Sequence, residues 1–428
     1  MDNIYTLFDT SARVGASIKK VKLESARQLL NLCAYLAPEG IPLSLLREGR
    51  AWLPLPLRGI LMNTPSLNNA VSELTAHSLV RKQGGLLYMR RLTQEAVRQE
   101  LIGDTSWLSY CLDMVSSIFK YKYGNRYSRS IFKQSAPHVL ELARHGEALL
   151  GEDEEAQKKM ALLFYKAGCG FHFYGQYPEA LEWFGKASLI QERVIGAEHR
   201  DTAATYNNIA GVYDSQGNYI KALEWYGKSL SIYENALGTE HADTAAAYNN
   251  IALVYKNLRE YDQALKWYRK ALAITEKVLG AQHPDTAATY NNIAVVYDSV
   301  GDSAKALEWY NKALAIREKT LGPDHPDTSG TYNNIALVYS SRGEYARALE
   351  WYRKALVIKE KVLGTEHPST ATTYNNIALV YYSQGGYDQA LEWYDKSYKI
   401  YLQKLGETHP HTSLVKNNMA NCLAKIRP

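Results

Sequence analysis

The sequence predicts an all-α protein in which helical hairpins stack side by side into an α-solenoid. The main observation is a period of 42 residues, marked by one tyrosine and one tryptophan in each copy. The tyrosines are Tyr206, Tyr248, Tyr290, Tyr332 and Tyr374, and the tryptophans are Trp183, Trp225, Trp267, Trp309, Trp351 and Trp393. A fixed period of this length is typical of arrays in which each unit contacts only its neighbours.

Each copy contains two helical patterns separated by a glycine. In the copy at residues 283–322, apolar and aromatic residues recur twice at i, i+3, i+4 and i+7, the spacing of one helix face. The first stripe is Tyr290, Ile293, Ala294 and Tyr297, and the second is Ala306, Leu307, Tyr310, Ala313 and Leu314. A His-Pro-Asp-Thr segment precedes the pair, and Leu-Gly follows it, which predicts the helix ends. One hairpin cannot bury both stripes, whereas stacked hairpins can.

Composition and charge agree with an ordinary folded chain. Hydrophobic residues make up 46% and charged residues 22% of the sequence, and the four cysteines form no CxxC pair. The net charge is +5; the first 150 residues carry +7 and the rest −2, so only the N-terminal part could attract a polyanion. No apolar run is long enough to span a membrane, and no signal peptide is evident. We therefore expect a cytoplasmic protein without membrane partners.

The N-terminal part lacks the 42-residue period. We expect a flexible lead-in at 1–22, then helices around residues 29–36, 41–46 and 67–78, with an irregular loop at 49–66. The segment LVRKQGGLLYMRRL alternates about Gly84-Gly85, which predicts a β-hairpin, and a helix follows at 93–102. This order is that of a small winged-helix-like domain over 23–102. A helical connector at 103–159 and an array of about six repeats with a terminal single helix at 160–428 complete the predicted organisation.

Residues 23–150 resemble the winged-helix segment of bacterial NB-ARC (STAND, NLR-like) signalling NTPases. The resemblance to the winged helix rests on ARQLLNLCAYLAPEGIPLSLL and AVSELTAHSLVRKQGGLLYMRRLTQEAVRQEL, and APHVLELARHGEALL (136–150) resembles the helical joint that follows it in that family. No GxxxxGK[ST] motif is present, so the ATPase module of that family is absent from this sequence. Arg90 occupies the place of the histidine that senses the nucleotide in that family. Arg90 is predicted either to face a phosphate or to be a solvated residue at a strand end.

The repeats resemble the tetratricopeptide (TPR) motif of the kinesin light chain type. Tyr-x-x-Ile-Ala-x-x-Tyr, Gly, Tyr, Ala-Leu, Tyr and Lys-Ala-Leu occur in the TPR order, and the GxxHPDT joint matches that type. The resemblance covers residues 160–426. It implies a right-handed superhelix whose first helices line a concave groove, and a non-enzymatic function in peptide or protein binding.

Asparagine occupies a free position of the first helix in every regular unit. We predict that these amides, which both donate and accept hydrogen bonds, hold the backbone of an extended peptide. The predicted ladder is Asn208, Asn250, Asn292, Asn334 and Asn376, with Lys166 replacing asparagine in the first unit and suited to an acidic ligand end. Selectivity is predicted at a variable row of Asp214, Lys256, Asp298, Ser340 and Tyr382. The adjacent asparagines are predicted to bond across repeats: Asn207, Asn249, Asn291, Asn333 and Asn375.

The recurring histidines and tryptophans are predicted to be structural. Equivalent residues of stacked hairpins lie roughly 10 Å apart, too far to share one metal ion. We therefore expect hydrogen bonds at the joints from His199, His241, His283, His325, His367 and His409. The tryptophans are expected to pack within the array; the alternative is a partly exposed tryptophan stripe that forms a second binding surface. Since no catalytic motif is present, we predict neither an enzyme nor a bound metal or cofactor.

Three functions follow from these observations. The first is a peptide-binding sensor or scaffold of an NLR-like system, acting with an NTPase in cis or in trans. The second is a DNA-binding regulator using Arg81, Lys82, Arg90 and Arg91. The predicted recognition helix at 67–78 contains no Lys or Arg, so nucleic acid is the less favoured partner. The third is a subunit of a nucleotide-dependent switch.

Overall fold

The computed structural model describes residues 13–118, 126–149, 153–407 and 409–426. Helices dominate these residues, as the sequence predicts. The chain divides into two compact units, Met1–Asn218 and Tyr219–Pro428, and each is described here on its own.

The first unit begins with a winged-helix-like arrangement. Its elements are α1 (Glu24–Cys33), β1 (Ile41–Pro42), α2 (Leu43–Glu48), a 3-10 turn (Arg50–Trp52), α3 (Leu57–Ile60), α4 (Thr64–Ala76), β2 (Arg81–Gln83), β3 (Leu86–Tyr88) and α5 (Arg91–Glu100). The sheet has the order β1-β3-β2 with antiparallel pairing, and Leu87 of β3 lies opposite Ile41 and Lys82. The predicted hairpin is confirmed, with Gly84 at φ +58° in its turn. The strand β1 and the ordered turns within 49–66 were not predicted, because two to four residues show no periodicity.

One hydrophobic core runs through the first unit. It extends from Ile18 through α1 and α4 to Phe164 and Trp183 of the first hairpin. Residues 13–19 are helical, and Ile18 and Val21 are buried. This part of the predicted flexible lead-in is therefore ordered by apolar burial, while residues 1–12 lie outside the described residues.

Two connecting helices, α6 (Ser106–Ile118) and α7 (Arg126–Leu149), share this core. The buried His138 of α7 accepts a hydrogen bond on Nδ1 from the Ala37 backbone amide, at 3.0 Å. Burial lowers the pKa of His138 to about 4, so its ring is neutral at physiological pH. The buried Gln94 side chain of α5 donates to the carbonyls of Cys33 and Leu36. These bonds satisfy the backbone where α1 ends.

The hairpin helices follow in both units. In the first unit they are α8 (Glu154–Phe173), α9 (Tyr177–Val194) and α10 (Arg200–Ser215). In the second unit they are α11 (Tyr219–Leu237), α12 (Ala242–Asn257), α13 (Tyr261–Val278), α14 (Pro284–Ser299), α15 (Ser303–Thr320), α16 (Pro326–Ser341), α17 (Tyr345–Val362), α18 (Pro368–Ser383), α19 (Tyr387–Leu405) and the single helix α20 (Pro410–Ile426). We number the pairs repeat 1 (α8, α9) to repeat 6 (α18, α19); α10 and α11 are the helices of repeat 2.

The joints between repeats explain the recurring histidines. In each joint the histidine is the N-cap of the next first helix, and its Nδ1 accepts a hydrogen bond from the amide two residues later, at 3.1–3.2 Å. The following threonine donates to the carbonyl of the preceding glycine, as in Thr286 to Gly280 at 2.9 Å. The predicted joint-forming role of the histidines is confirmed.

The aromatic residues link neighbouring helices. Tyr332 in the middle of α16 donates to a carboxylate oxygen of Glu318, in the preceding repeat, at 2.5 Å. The same ring lies 5.4 Å from Trp351 in its own repeat, and the Lys354 ammonium lies 4.4 Å from the centre of that indole ring. Equivalent contacts of Tyr248 and Tyr374 recur in repeats 3 and 6. The tryptophans of repeats 3, 5 and 6 therefore pack against neighbouring tyrosines and are half-buried, whereas Trp183 is buried.

Candidate functional site

The first helices present a face that the hairpin cores leave uncovered. In the second unit, α12, α14, α16 and α18 lie side by side, and their predicted core positions are turned inward: Tyr290, Ile293 and Ala294 are buried. The opposite side of these helices carries four rows of residues, which together we call the ladder face. The rows are Asn249, Asn291, Asn333 and Asn375; Asn250, Asn292, Asn334 and Asn376; Leu253, Val295, Leu337 and Leu379; and Lys256, Asp298, Ser340 and Tyr382.

Asparagines of adjacent repeats bond to one another. The Asn334 amide donates to Asn291 Oδ1 at 3.3 Å, and the Asn376 amide donates to Asn333 Oδ1 at 3.4 Å. Asn333 Oδ1 also accepts from Thr373, at 3.5 Å. The predicted cross-repeat bonding of the first asparagine row is thus present, and it uses part of the donor capacity of the second row.

Repeat 4 departs from this pattern. Asn249 donates to Thr289 at 3.1 Å, but its buried Oδ1 has no hydrogen-bond partner. Its expected donor, Asn292, is half-buried and makes no side-chain hydrogen bond within the described residues. Among Asn250, Asn292, Asn334 and Asn376, only Asn292 has this property in the part of the chain that the structure describes. Its amide therefore keeps its full hydrogen-bonding capacity.

The predicted site residues of the first unit have partners in their own unit. Asn208 donates to Tyr165 Oη at 3.0 Å and to the Ala204 carbonyl at 2.9 Å. The Lys166 ammonium donates to the Ser116 carbonyl and hydroxyl of α6, both at 3.0 Å. These bonds argue against the predicted capture of an acidic ligand end by Lys166. Asp214 is half-buried, and its charge opposes the burial that lowers the pKa of His172.

The variable row of the second unit contains two half-buried charges. Neither the Lys256 ammonium nor the Asp298 carboxylate forms an ion pair or a side-chain hydrogen bond within the described residues. Burial raises the pKa of Asp298, and its charge in turn contributes to the raised pKa of the buried Tyr310 and Tyr352. Tyr382 packs edge-on against Tyr387, with ring centres 5.4 Å apart.

The leucine row was not recognised as a binding feature from the sequence. Leu253, Leu337 and Leu379 are 37%, 43% and 46% exposed, and Val295 is half-buried. Leucine exposed at the same position of successive repeats is unusual, because apolar side chains normally gain free energy by leaving water. The sequence carries the signal as a leucine or valine three positions after each ladder asparagine of the second unit.

Other kinds of site find little support in the described residues. No group of histidine, cysteine, aspartate and glutamate side chains is arranged to hold a metal ion. No described helix combines the length and the apolar character needed to cross a bilayer. In the winged-helix-like segment, Arg81, Lys82, Arg90 and Arg91 are exposed, and Lys82 donates to Asn68 of α4 at 2.9 Å.

Comparison with known proteins agrees with the fold and the repeat. The tetratricopeptide repeat family matches residues 172–235, 243–319, 301–361, 327–403 and 369–427, which is more than half of the chain. The protein therefore belongs to the tetratricopeptide repeat family. A second family, a domain of unknown function (DUF7779), matches residues 17–105. No curated protein matches the sequence.

Solved structures share this architecture. A Signal Transduction ATPase with Numerous Domains (STAND) protein with a tetratricopeptide repeat sensor, from Pyrococcus horikoshii, is 16% identical, with a TM-score of 0.59. The match covers 95% of this chain and 54% of that protein, so the chain spans about half of its length. BtubC (BKLC) from P. vanneervenii is 24% identical with a TM-score of 0.47, covering 54% of this chain and 92% of BtubC. Tetratricopeptide repeats serve as scaffolds or sensors for protein–protein interaction, and this is the class of the present chain.

Proposed function

We propose that the ladder face binds an extended peptide or a peptide segment of a partner protein. The observation that carries this proposal is the unused Asn292 amide, half-buried in a row of amides on an otherwise uncovered face. An amide can donate to a peptide carbonyl and accept from a peptide N–H, so it recognises the backbone whatever the side chains are. Asn250, Asn334 and Asn376 would act with Asn292, using the capacity that their own contacts leave free. Asn208 holds the equivalent position on α10 of the first unit.

The variable row would then supply selectivity. Lys256, Asp298 and Tyr382 differ in charge and shape from repeat to repeat, while the asparagines do not. Asp214 belongs to the same row in the first unit. This division of roles lets one face bind a backbone tightly and still discriminate between side chains.

We also propose that the chain is the sensing part of an NLR-like signalling system, with the NTPase in cis or in trans. The support is the resemblance of residues 23–150 to the NB-ARC winged-helix segment and the fold shared with a protein described as a STAND ATPase with a tetratricopeptide repeat sensor. The continuous core from Ile18 to Trp183 would transmit a change in the first hairpin to the winged-helix-like segment. The corresponding domain boundaries, 23–102, 103–159 and 160–428, remain predictions.

Selection of a random 12-residue peptide display library on the full chain tests the binding proposal. Affinities of the selected peptides are then measured by fluorescence anisotropy for the wild type and for Asn292→Ala. We expect the variant to bind about tenfold more weakly, as loss of a well-placed hydrogen bond predicts. Asn311→Ala is the matched control, because Asn311 is exposed on the second helix of the same repeat. Failure to select any peptide, or equal affinities for the wild type and Asn292→Ala, would contradict the proposal.

A further inference from the structure

The ladder face combines an apolar row with two charges that lack partners. The apolar row, Leu253, Val295, Leu337 and Leu379, places one hydrophobic side chain on each of four adjacent helices. The charges, Lys256 and Asp298, lie one helical turn further along α12 and α14. Nothing in the described residues covers the apolar row or neutralises either charge.

The spacing of these rows fits an extended chain. Packed helices lie about 8–10 Å apart, so each row advances by roughly that distance per repeat. A polyproline II segment advances about 3.1 Å per residue with three residues per turn, so three of its residues span one repeat and every third side chain lies on the same face. In a β-strand the side chains alternate, so every third one would point away. Every third side chain of a polyproline II ligand would therefore meet the next member of the apolar row.

The neighbouring amides distinguish an extended ligand from a helical one. A helix satisfies its own backbone groups internally and would leave the Asn292 amide without a partner. An extended segment keeps its N–H and C=O groups available for the asparagine row while its side chains reach the apolar row. The amide row and the apolar row are therefore complementary to the same kind of ligand.

The two charges of the ladder face indicate which charged residues the ligand carries. Asp298 is half-buried, and a carboxylate in that position is stabilised by a basic partner more than by water alone. Lys256 occupies the equivalent position one repeat earlier and is stabilised by an acidic partner. Since one repeat corresponds to three ligand residues, the acidic and basic residues of the ligand would be three positions apart.

We propose that the ligand is an extended peptide with an apolar residue at every third position, a Lys or Arg against Asp298, and an Asp or Glu three residues away against Lys256. This inference rests on the proposed peptide-binding function and adds the sequence pattern of the ligand. The acidic residue faces repeat 3 and the basic residue faces repeat 4, so the order of the two charges along the ligand decides the direction in which it binds.

The same display library tests this pattern, with sequencing of the peptides selected on the full chain and on variants. On the wild type we expect enrichment of apolar residues at every third position and of a basic residue three positions from an acidic one. Asp298→Asn should remove the preference for the basic residue, and Asp298→Lys should replace it with a preference for an acidic one. Asp302→Asn is the control: Asp302 caps α15 and pairs with Lys305, and asparagine preserves the cap.

Single peptides give the corresponding affinities. An Arg-containing peptide from the wild-type selection should bind Asp298→Asn about tenfold more weakly, and Asp302→Asn as tightly as the wild type. Peptides that are selected without this pattern, or whose basic residue is still preferred by Asp298→Asn, would overturn the inference while leaving peptide binding intact. Selection of helical or purely apolar sequences would also overturn it. Absence of any selected peptide would overturn both proposals.

Discussion

The Lys359 ammonium donates a hydrogen bond of 2.9 Å to Thr373 Oγ1 across the joint between repeats 5 and 6. Its second acceptor is the Ser369 carbonyl, at 3.3 Å, and no carboxylate pairs with it within the described residues. Arg317 occupies the equivalent position one repeat earlier and donates to Thr331 and to the Asp327 carbonyl. Two joints of the array therefore hold a cation with uncharged acceptors, and the cation is buried at Lys359 and half-buried at Arg317.

Replacement of Lys359 by methionine should stabilise the protein at neutral pH. Burial lowers the pKa of Lys359 to about 8, which corresponds to roughly 3 kcal/mol against the charged form. Because the lost hydrogen bonds offset part of this gain, we expect the free energy of unfolding to rise by about 1–2 kcal/mol. Urea unfolding at pH 7 measures the change, and a less stable variant would contradict the expectation.

The pH dependence of the wild type provides a second readout of Lys359. Between pH 8 and 9.5 the native state loses the Lys359 proton while the unfolded state keeps it, so the free energy of unfolding should increase with pH. The slope should be smaller in Lys359→Met. Lys354→Met is a suitable control, because Lys354 is exposed on the same helix. If the free energy of unfolding rises with pH equally in the wild type and in Lys359→Met, deprotonation of the buried Lys359 does not cause the rise.

Arg259→Gly should stabilise repeat 3. Arg259 has φ +63° between α12 and α13, where the corresponding residues of the other repeats are glycines, such as Gly301 with φ +83°. A left-handed backbone costs a residue with a Cβ atom about 1–2 kcal/mol, so glycine should raise the free energy of unfolding by about 1 kcal/mol. Denaturant unfolding is the measurement, and Gly301→Arg should show the opposite change. A destabilising Arg259→Gly would indicate that the arginine side chain contributes more than its backbone costs.

Acidification should weaken the first unit through His138. The native pKa is about 4 and the unfolded value about 6.5, so as pH falls from 6.5 to 4 the unfolded state binds the proton first. Stability should fall over this range by up to about 3 kcal/mol, and no further below pH 4 from this group. Hydrogen exchange of the amides in α1 measures the loss.

His138→Asn isolates this contribution. The asparagine Oδ1 can accept the Ala37 N–H bond, yet it does not titrate. The variant should keep a weaker pH dependence, because burial also lowers the pKa of His145 to about 4. If the stability of His138→Asn falls between pH 6.5 and 4 as much as that of the wild type, a group other than His138 causes the loss.

Tyr332→Phe should loosen the joint between repeats 4 and 5. The change removes the 2.5 Å bond to Glu318 but keeps the ring against Trp351. Because the acceptor is charged, we expect a loss of about 1.5–3 kcal/mol in the free energy of unfolding. Tyr345→Phe is a matched control on the second helix of the same hairpin, since no hydrogen bond of Tyr345 through its hydroxyl occurs in the described structure. Equal stabilities of the two variants would contradict a role for the Tyr332–Glu318 bond.

The repeat could be predicted because its pattern depends only on residues that lie close together in the sequence. The spacing of Tyr290, Ile293 and Ala294 defines a buried helix face without reference to distant residues, and the joint histidines follow a helix-capping pattern. Two adjacent asparagines, such as Asn291 and Asn292, could be assigned to separate rows for the same reason. Their individual bonds depend on the neighbouring repeat, which is why the unused state of Asn292 could not be predicted.

The errors arose where partners are distant in sequence. Lys166 looked available for a ligand because Ser116, its partner, lies in a segment without any period. Lys359 shows no sequence feature that distinguishes a buried ammonium from a solvated one. Helical spacing places Leu253, Leu337 and Leu379 on the same face as the ladder asparagines, but it does not show how far each side chain is exposed. These properties depend on tertiary contacts rather than on helical spacing.

The joints of the second unit have a consequence for the evolution of the chain. Repeats 3 to 6 begin with the same histidine cap and threonine–glycine bond, so duplicating or deleting 42 residues would recreate a joint of the same chemistry. Repeat 1 differs, because its helices complete the core that reaches back to Ile18. Copy-number variation in relatives should therefore arise among the later hairpins, and each hairpin gained would lengthen the ladder face by two asparagines, one apolar side chain and one residue of the variable row.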